Sequence, residues 1–250
     1  MKDYVSFGTG DRTLIVLPGL SIGNVTASGA LLGTVFRKFT KDWTVYVMDR
    51  PEVVPEGADD AFLAEACVSR MKELGISEAD IIGVSQGGMI AQHIAVRHPL
   101  MVHKLVLGAT LSRSNPMSEG VVGKWISLAQ EGRWYDLNKD TFQKLYTDEY
   151  LQKNRLAVEL VSKSLKPSDP ERFVRLAKAC LSAGPFGDLG RIRCPVLVLG
   201  SEDDPVVTGE ASREIAAAIE GCELFMYSGM RHAIYDESKD FYKRALDFLL

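Results

Sequence analysis

Residues 79–99, ADIIGVSQGGMIAQHIAVRHP, contain the turn around which the rest of the chain is arranged. Up to Val84 the stretch is an apolar run typical of a buried strand, and apolar residues then recur at helical spacing until Pro99. Between the two lies Gly83-Val84-Ser85-Gln86-Gly87, a G-x-S-x-G pattern. The sequence therefore predicts a strand, a tight turn and a helix, with Ser85 on the turn.

A serine on such a turn has the surroundings that a nucleophile needs. The two glycines predict that the neighbouring strand and helix pass too close for a side chain at positions 83 and 87. The helix N-terminus offers backbone N–H groups and a partial positive charge beside the hydroxyl, which suits a reaction that builds up an oxyanion. The alternative is a glycine-rich turn in an α/β protein whose serine only caps the helix, because so short a motif also occurs by chance.

Length and composition are those of an ordinary globular protein. The chain has 250 residues, of which 46% are hydrophobic and 25% charged, and this suits one α/β domain with an inserted subdomain. The net charge of −4 comes without blocks of like charge, so neither nucleic acid nor an anionic membrane surface is indicated as a partner. No apolar run reaches membrane-spanning length and residues 1–12 lack the apolar core of a signal peptide, so a cytoplasmic location is expected.

The four cysteines and four histidines do not have the spacing of a metal site. The cysteines are far apart, form no C-x-x-C pair, and give no zinc-ligand pattern together with the histidines. We interpret the cysteines as small buried hydrophobes in a reducing compartment. Neither a metal nor a cofactor is expected.

Apolar strand runs alternate with helical patterns over most of the chain. The runs lie at residues 4–7, 13–17, 44–48, 81–84, 104–107, 196–199 and 223–227. This alternation predicts a doubly wound, mostly parallel sheet. It is interrupted between Ala109 and Arg191, where helix-like segments rich in aromatic residues predict a helical insertion over one edge of the sheet.

Two later strand ends offer the partners that a serine nucleophile requires. Such a serine needs a base to take its proton and a carboxylate to orient the base. Active sites of α/β sheets gather at the carboxyl ends of the strands. The run at 196–199 is followed by a cluster of acids at 202–204, and the run at 223–227 is followed by His232. The order serine, acid, histidine is the one expected for a nucleophile on this kind of turn.

With these residues in place, the chain resembles proteins of the α/β-hydrolase fold. The resemblance extends over nearly the whole length, through TLIVLPGL (13–20), GVSQGG (83–88), GSEDDPVV (200–207) and SGMRH (228–232). It implies an eight-stranded, mostly parallel sheet with a helical cap inserted after the sixth strand. Residues 1–110 and 191–250 would then form the core, and residues 111–190 the cap.

The resemblance also assigns roles within the site. The nucleophile falls on Ser85 and the base on His232. The acid of the family usually stands three residues after the glycine that ends the strand, which from Gly200 selects Asp203. Asp204 remains the competing acid, because a loop wound one residue differently would bring it to the histidine.

Two backbone N–H groups form the oxyanion hole in this fold. One belongs to the residue after the nucleophile, Gln86, and the other maps to Leu20. Pro18 stands where many relatives of this fold have histidine. Since the donor is a backbone group, this departure leaves the expected oxyanion hole in place.

These features predict a serine hydrolase that acts on an ester or thioester of a small to medium carboxylic acid through a covalent acyl-enzyme. Its partner would be a small-molecule substrate with an acyl group. The same fold and triad also serve C–C bond hydrolases, acyltransferases, lactonases and perhydrolases, and a non-enzymatic ligand receptor of the same fold is a further alternative.

The aromatic residues of the cap are candidates for the substrate pocket. If the cap covers the site, aromatic residues on its inner side favour an apolar acyl or aryl group. For any single one, packing within the cap's own core is the alternative. The candidates are Trp125, Trp134, Tyr135, Phe142, Tyr146 and Phe186.

Overall fold

The computed structural model describes residues 3–250 and is built around a seven-stranded sheet. Its strands are β1 (Tyr4–Phe7), β2 (Arg12–Leu17), β3 (Trp43–Met48), β4 (Ala79–Val84), β5 (Val102–Gly108), β6 (Val196–Ser201) and β7 (Glu223–Tyr227). Their spatial order is β1-β3-β2-β4-β5-β6-β7. The pair β1 and β3 is antiparallel and the other pairs are parallel, so the predicted doubly wound, mostly parallel sheet is confirmed.

The number of strands corrects one expectation. Eight strands were expected from the family resemblance alone, whereas the described residues form seven. Each of the seven corresponds to an apolar run in the sequence, and no further run is available to form an eighth. The helical insertion consequently follows the fifth strand of this sheet and not the sixth.

Helices cover both faces of the sheet. The α-helices of the described residues are α1 (Gly29–Val35), α2 (Asp60–Glu73), α3 (Gln86–Arg97), α4 (Pro116–Gln130), α5 (Trp134–Leu145), α6 (Asp148–Lys153), α7 (Arg155–Ser164), α8 (Pro170–Ala179), α9 (Gly209–Ala218), α10 (Ile234–Glu237) and α11 (Phe241–Leu249). Residues of α2, α3 and α9 pack on one face, and residues of α11 and of the segment after α1 pack on the other. Since both faces are covered, all six residues of β4 and of β6 are buried. Within the described residues, none of these helices is long and apolar enough to cross a membrane.

The helical insertion comprises α4 to α8, between β5 and β6. A third buried cluster joins it to the sheet domain, because α4 and α8 residues such as Trp125 and Phe173 pack with Met89 of α3 and with Val206 after β6. The insertion therefore lies over the ends of β4 and β6, where the serine and the acid are expected. We propose to treat residues 111–190 as the cap and the remainder as the core.

Candidate active site

Ser85 occupies the turn between β4 and α3 in a strained conformation. Its backbone φ of 51° and ψ of −122° lie in a region that residues other than glycine rarely adopt. Two hydrogen bonds hold the turn: the Ser85 N–H donates to the carbonyl of Gly108 at 2.9 Å, and the Thr110 hydroxyl donates to the carbonyl of Ser85 at 2.7 Å. The fold thus holds the Ser85 backbone in an unfavourable conformation, which places its half-buried side chain at the end of β4.

The glycines of the pentapeptide are required by close packing. A Cβ on Gly83 would lie 2.6 Å from the carbonyl oxygen of Gly87, and a Cβ on Gly87 would lie 1.9 Å from the carbonyl oxygen of Leu17. Contacts this short are excluded for a side chain. The predicted collisions with the neighbouring helix and strand are therefore confirmed.

His232 lies between Ser85 and a carboxylate. Its Nε2 is 3.0 Å from the Ser85 Oγ, and its Nδ1 is 2.8 Å from the Oδ2 of Asp204. The side chains of His232 and Asp204 are 4% and 1% exposed. An ionised carboxylate at Nδ1 accepts a hydrogen bond from the ring N–H there, which leaves the Nε2 lone pair facing the serine hydroxyl. This arrangement can remove the proton from the hydroxyl.

Asp204, and not Asp203, contacts the histidine. The Oδ1 of Asp204 also accepts from the backbone N–H groups of Val206 and Val207, at 2.8 and 3.0 Å. Asp203 is exposed, and its Oδ2 accepts from the N–H of Gly229 at 2.8 Å. The prediction of Asp203 as the acid is therefore wrong, because the loop after β6 turns back on Asp204 and aims the neighbouring carboxylate elsewhere.

The turn after β2 lies directly against the serine. A Cβ on Gly19 would be 3.2 Å from the Cβ of Ser85 and 3.7 Å from its Oγ. Leu20 follows in this turn, and Gln86 is the first residue of α3, so the Gln86 N–H has no acceptor within the helix. This placement agrees with an oxyanion hole formed by the N–H groups of Leu20 and Gln86, which stays a prediction.

Arg50, which sequence reasoning missed, is hydrogen-bonded to the carbonyl groups of this turn. It is buried, with 5% of its surface exposed. The Arg50 Nη2 donates to the carbonyls of Pro18 and Gly19, at 2.6 and 2.5 Å, and its Nε and Nη2 donate to the Oε1 of Gln86 at 3.1 and 3.0 Å. The signal that could have found it is an arginine two residues after the buried strand β3, at the edge of the sheet where sites gather.

The two tryptophan candidates lie in the buried cluster that joins the cap to the core. The indole N–H of Trp125 donates to Asp140 at 2.9 Å, and Trp134 packs edge-on against Phe173 with ring centroids 5.7 Å apart. The half-buried Leu20 packs against this same cluster. Both tryptophans therefore belong to the buried cluster that Leu20 of the predicted oxyanion turn contacts, and their own contact with substrate stays a prediction.

The other aromatic candidates have partners elsewhere. The Tyr135 hydroxyl donates to Glu159 of α7, and Phe142, Tyr146 and Tyr150 form a continuous stack. Phe186 packs against the sheet core on the side of α2 and α3, with the Arg113 guanidinium 4.0 Å from its ring centre. Phe186 is half-buried against this core, and its role in the pocket stays a prediction.

The cap holds the loop that carries His232. The Ala233 N–H donates to the carbonyl of Leu145 at 2.9 Å, and the Arg231 guanidinium donates to the carbonyls of Gln143 and Tyr146 at 2.7 and 3.1 Å. The Thr147 N–H and hydroxyl donate to Glu237, and the Tyr146 hydroxyl donates to Asp236. The histidine loop is thus fastened on both sides of His232 to the end of α5 and the start of α6.

Metal ligands do not converge in the part of the chain that the structure describes. Among residues 3–250 no three side chains of histidine, cysteine, aspartate or glutamate come together as a metal ion would require.

Comparison with known proteins adds the family context. Residues 58–239 match the family model described as serine aminopeptidase, S33. The chain is similar to 2-hydroxymuconate semialdehyde hydrolase of Pseudomonas putida, at 26% identity over 74% of this chain and 67% of that protein. It is also similar to the human serine hydrolase BPHL, at 26% identity over 98% of this chain and 82% of that protein.

A solved structure shares the architecture over almost the whole length. The enol-lactonase from Burkholderia xenovorans LB400 superposes with a TM-score of 0.84 at 22% identity, covering 98% of this chain and 95% of that chain. At this identity the likeness shows the fold alone.

Proposed function

The chain belongs to the serine aminopeptidase S33 family and is an α/β-hydrolase enzyme, and from that premise we propose that it hydrolyses an ester or thioester of a small to medium carboxylic acid through a covalent acyl-enzyme. One observation carries the proposal. The buried Asp204 carboxylate is hydrogen-bonded to His232, whose other ring nitrogen is 3.0 Å from the Ser85 Oγ. Such an array makes a serine hydroxyl nucleophilic at neutral pH.

In the acylation step, the Ser85 Oγ attacks the carbonyl carbon of the acyl group while Nε2 of His232 takes the hydroxyl proton. The electron pair of the carbonyl moves to its oxygen, which the N–H groups of Leu20 and Gln86 bind. When this intermediate collapses, the bond from the acyl carbon to the alcohol oxygen or thiol sulfur breaks. His232 passes its proton to that leaving group, and Asp204 stays ionised while it orients the imidazole.

In the deacylation step, water replaces the departed alcohol or thiol. His232 takes a proton from the water as its oxygen attacks the acyl carbon, and the same N–H groups stabilise the second oxyanion. The bond between the acyl carbon and the Ser85 Oγ then breaks, and His232 returns the proton to the serine. The products are a carboxylic acid and the free enzyme.

A second candidate is hydrolysis of a carbon–carbon bond on the same triad. The observation in its favour is the similarity to the Pseudomonas putida protein, which is named for a hydroxylated unsaturated aldehyde acid and not for an ester. The fold alone does not separate the two, since function is decided by the site.

The test is a substrate panel with wild-type protein and Ser85→Ala. It contains p-nitrophenyl esters of graded acyl length, an acyl thioester, an aminoacyl p-nitroanilide and a dienol ketone for carbon–carbon cleavage. We expect a burst of p-nitrophenol with a short or medium ester and a loss of at least about a thousandfold in kcat for Ser85→Ala.

The matched control is Ser127→Ala, an exposed serine whose hydroxyl bonds only to its own helix, and its rates should equal those of the wild type. Unchanged ester hydrolysis by Ser85→Ala would contradict the assignment of the nucleophile. Faster turnover of the dienol ketone than of every ester would replace the ester proposal with the second candidate. Faster turnover of the anilide would replace it with a peptidase.

A further inference from the structure

We propose that Arg50 is a positioning residue that aims the backbone N–H of Leu20 at the oxyanion and fixes Gln86 beside it. The inference deepens the proposed function and rests on it, since an oxyanion forms only if Ser85 attacks an acyl group. The geometry that supports it involves the three acceptors of Arg50 and their relation to the two predicted donors.

The first support comes from the peptide unit between Gly19 and Leu20. Its carbonyl oxygen accepts from the Arg50 Nη2 at 2.5 Å. No cis peptide bond occurs in the described residues, and in a trans peptide the C=O and N–H groups point in opposite directions. A carbonyl held toward Arg50 therefore directs the Leu20 N–H away from Arg50. Gly19 lies against the Ser85 side chain, so the nucleophile is adjacent to this donor.

The second support comes from Gln86, the other predicted donor. Its side-chain oxygen accepts twice from the Arg50 guanidinium, and its amide nitrogen donates to the carbonyl of Leu176 at 2.7 Å. The Gln86 residue is 1% exposed. One guanidinium thus connects the residues that carry both N–H groups, and the cap helix α8 holds the far side of Gln86.

The third support is electrostatic. Within the described residues, the Arg50 guanidinium has no carboxylate oxygen at ion-pair distance, and its hydrogen bonds go to neutral carbonyl oxygens. A buried cation whose hydrogen bonds go only to neutral acceptors lowers stability, so an apolar side chain would serve a purely structural role better. A cation on the carbonyl oxygen also polarises the peptide unit, which makes its N–H a stronger donor.

The experiment compares Arg50→Met and Arg50→Lys with the matched variant Arg172→Met. Arg172 donates to the carbonyls of Arg50 and Pro51, so its loss loosens the same segment without touching Pro18 or Gly19. For each protein we would measure thermal unfolding, kcat and KM for the best p-nitrophenyl ester per active site, and the inhibition constants of two ligands. One is an alkyl trifluoromethyl ketone, which binds serine as a tetrahedral oxyanion, and the other is the matching secondary alcohol, which forms no oxyanion.

We expect kcat/KM of Arg50→Met to fall about tenfold to a hundredfold, somewhat less than the loss of a whole oxyanion donor. The trifluoromethyl ketone should bind weaker by the same factor, and the alcohol should bind unchanged. Arg50→Lys keeps the charge but not the fork of donors, so it should lose less. It also keeps the test usable if Arg50→Met fails to fold.

Equal ketone-to-alcohol selectivity in wild type, Arg50→Met and Arg50→Lys would overturn the positioning role while leaving the proposed function intact. A fall in selectivity of the same size in Arg172→Met would also overturn it, because general loosening of the loop would then explain the effect. If the wild-type protein binds no ketone and hydrolyses no ester, the proposed function fails and this inference fails with it.

Discussion

Two adjacent aspartates after β6 have opposite surroundings. Asp204 is buried and its carboxylate accepts from the imidazole and from two backbone N–H groups. Asp203 is exposed and accepts from the N–H of Gly229, in the loop that precedes His232. The carboxylate of Asp204 is therefore the one placed to orient the proposed base, whereas the carboxylate of Asp203 holds one loop against another.

This difference predicts the outcome of two single substitutions. Asp204→Asn keeps the shape but removes the charge that selects the tautomer of His232, so we expect kcat to fall by about three to four powers of ten. Asp203→Asn should leave kcat within a few-fold of the wild type. Both variants would be assayed with the same p-nitrophenyl ester. A large loss in Asp203→Asn together with a small one in Asp204→Asn would reverse the assignment.

Sequence reasoning reached the loop but not the residue within it. The order of serine, acid and histidine along the chain limits the acid to residues 202–204. The choice among them depends on the direction in which the chain turns, and the turn is formed by hydrogen bonds from Val206 and Val207 to Asp204 itself. Spacing from Gly200 does not contain that information. Arg50 was missed for a related reason, since its acceptors lie in segments remote in sequence.

At the scale of elements, the contact of β4 with α3 determines the position of Ser85, the proposed nucleophile. The backbone of the helix passes so close to Gly83 that a Cβ there would lie 2.6 Å from the carbonyl oxygen of Gly87 and 2.8 Å from the Cα of Gly88. Neither atom belongs to a flexible side chain, so the helix would have to move. Any movement of α3 displaces Ser85 and the Gln86 N–H together.

We therefore expect Gly83→Ala to lower the free energy of unfolding by about 1–3 kcal/mol or more, and to reduce kcat/KM. The matched control is Gly120→Ala in α4, where an added Cβ meets no atom within 4 Å. That substitution should raise stability by about 0.5–1 kcal/mol, because alanine is the better helix former. Urea denaturation measures both. Equal stability of the two variants would show that the close contact is absent.

A second contact between elements joins the cap to the loop that carries His232, the proposed base. Arg231 directly precedes His232 and donates to two carbonyls at the end of α5, while its Nη2 pairs with Asp148 at 3.1 Å. On the other side of His232, Glu237 accepts from Thr147. The position of the imidazole thus depends on helices that are far from it in sequence.

Arg231→Ala should lower the free energy of unfolding by about 1–2 kcal/mol through the two lost hydrogen bonds to carbonyls. It should also lower kcat several-fold, because the loop next to His232 becomes less firmly held. Arg133→Ala is the control, since Arg133 is an exposed cap arginine whose side-chain partners are Glu131 and Asp136. The hypothesis fails if Arg231→Ala and Arg133→Ala behave alike in both unfolding and turnover.

The elements themselves were largely predictable. Buried parallel strands are continuous apolar runs, and each of the seven runs forms a strand. The prediction of an eighth strand was wrong, because it came from the family pattern and no apolar run in the sequence corresponds to it. The inner face of the cap was not predictable, because aromatic residues fill a helical core and line a pocket with the same spacing. Phe186 illustrates this, since it packs on the sheet core.

At the scale of the whole molecule, one buried acid makes stability depend on pH. Asp60 is 0% exposed, and burial, with a smaller contribution from Asp59, raises its pKa to about 8 in spite of the hydrogen bond from Ser182. Its Oδ1 has no hydrogen-bond partner among the described residues. In the unfolded chain the pKa of an aspartate is near 3.9.

Between about pH 4 and pH 8 the folded protein therefore binds one more proton at Asp60 than the unfolded chain does. Linkage then requires that the contribution of Asp60 lowers stability as the pH rises through this window, by at most about 1.4 kcal/mol per pH unit, and levels off above pH 8. The Asp60→Asn side chain cannot ionise. The free energy of unfolding of this variant, relative to that of the wild type, should therefore increase as the pH rises from 5 to 8. Urea denaturation across this range measures the difference. A constant difference would contradict the raised pKa.

The most direct test of the proposed chemistry is rapid-quench mass spectrometry of the protein mixed with its best p-nitrophenyl ester. Acid quenching within the burst should trap the intermediate, and peptide mapping should locate one acyl group on Ser85. The same experiment with His232→Ala should give no adduct on this time scale, because no base is present to take the hydroxyl proton. We predict one acyl group per chain, on the peptide that contains Ser85. Ester turnover by the wild-type protein with no acyl group on Ser85, or with the acyl group on another residue, would contradict the covalent mechanism.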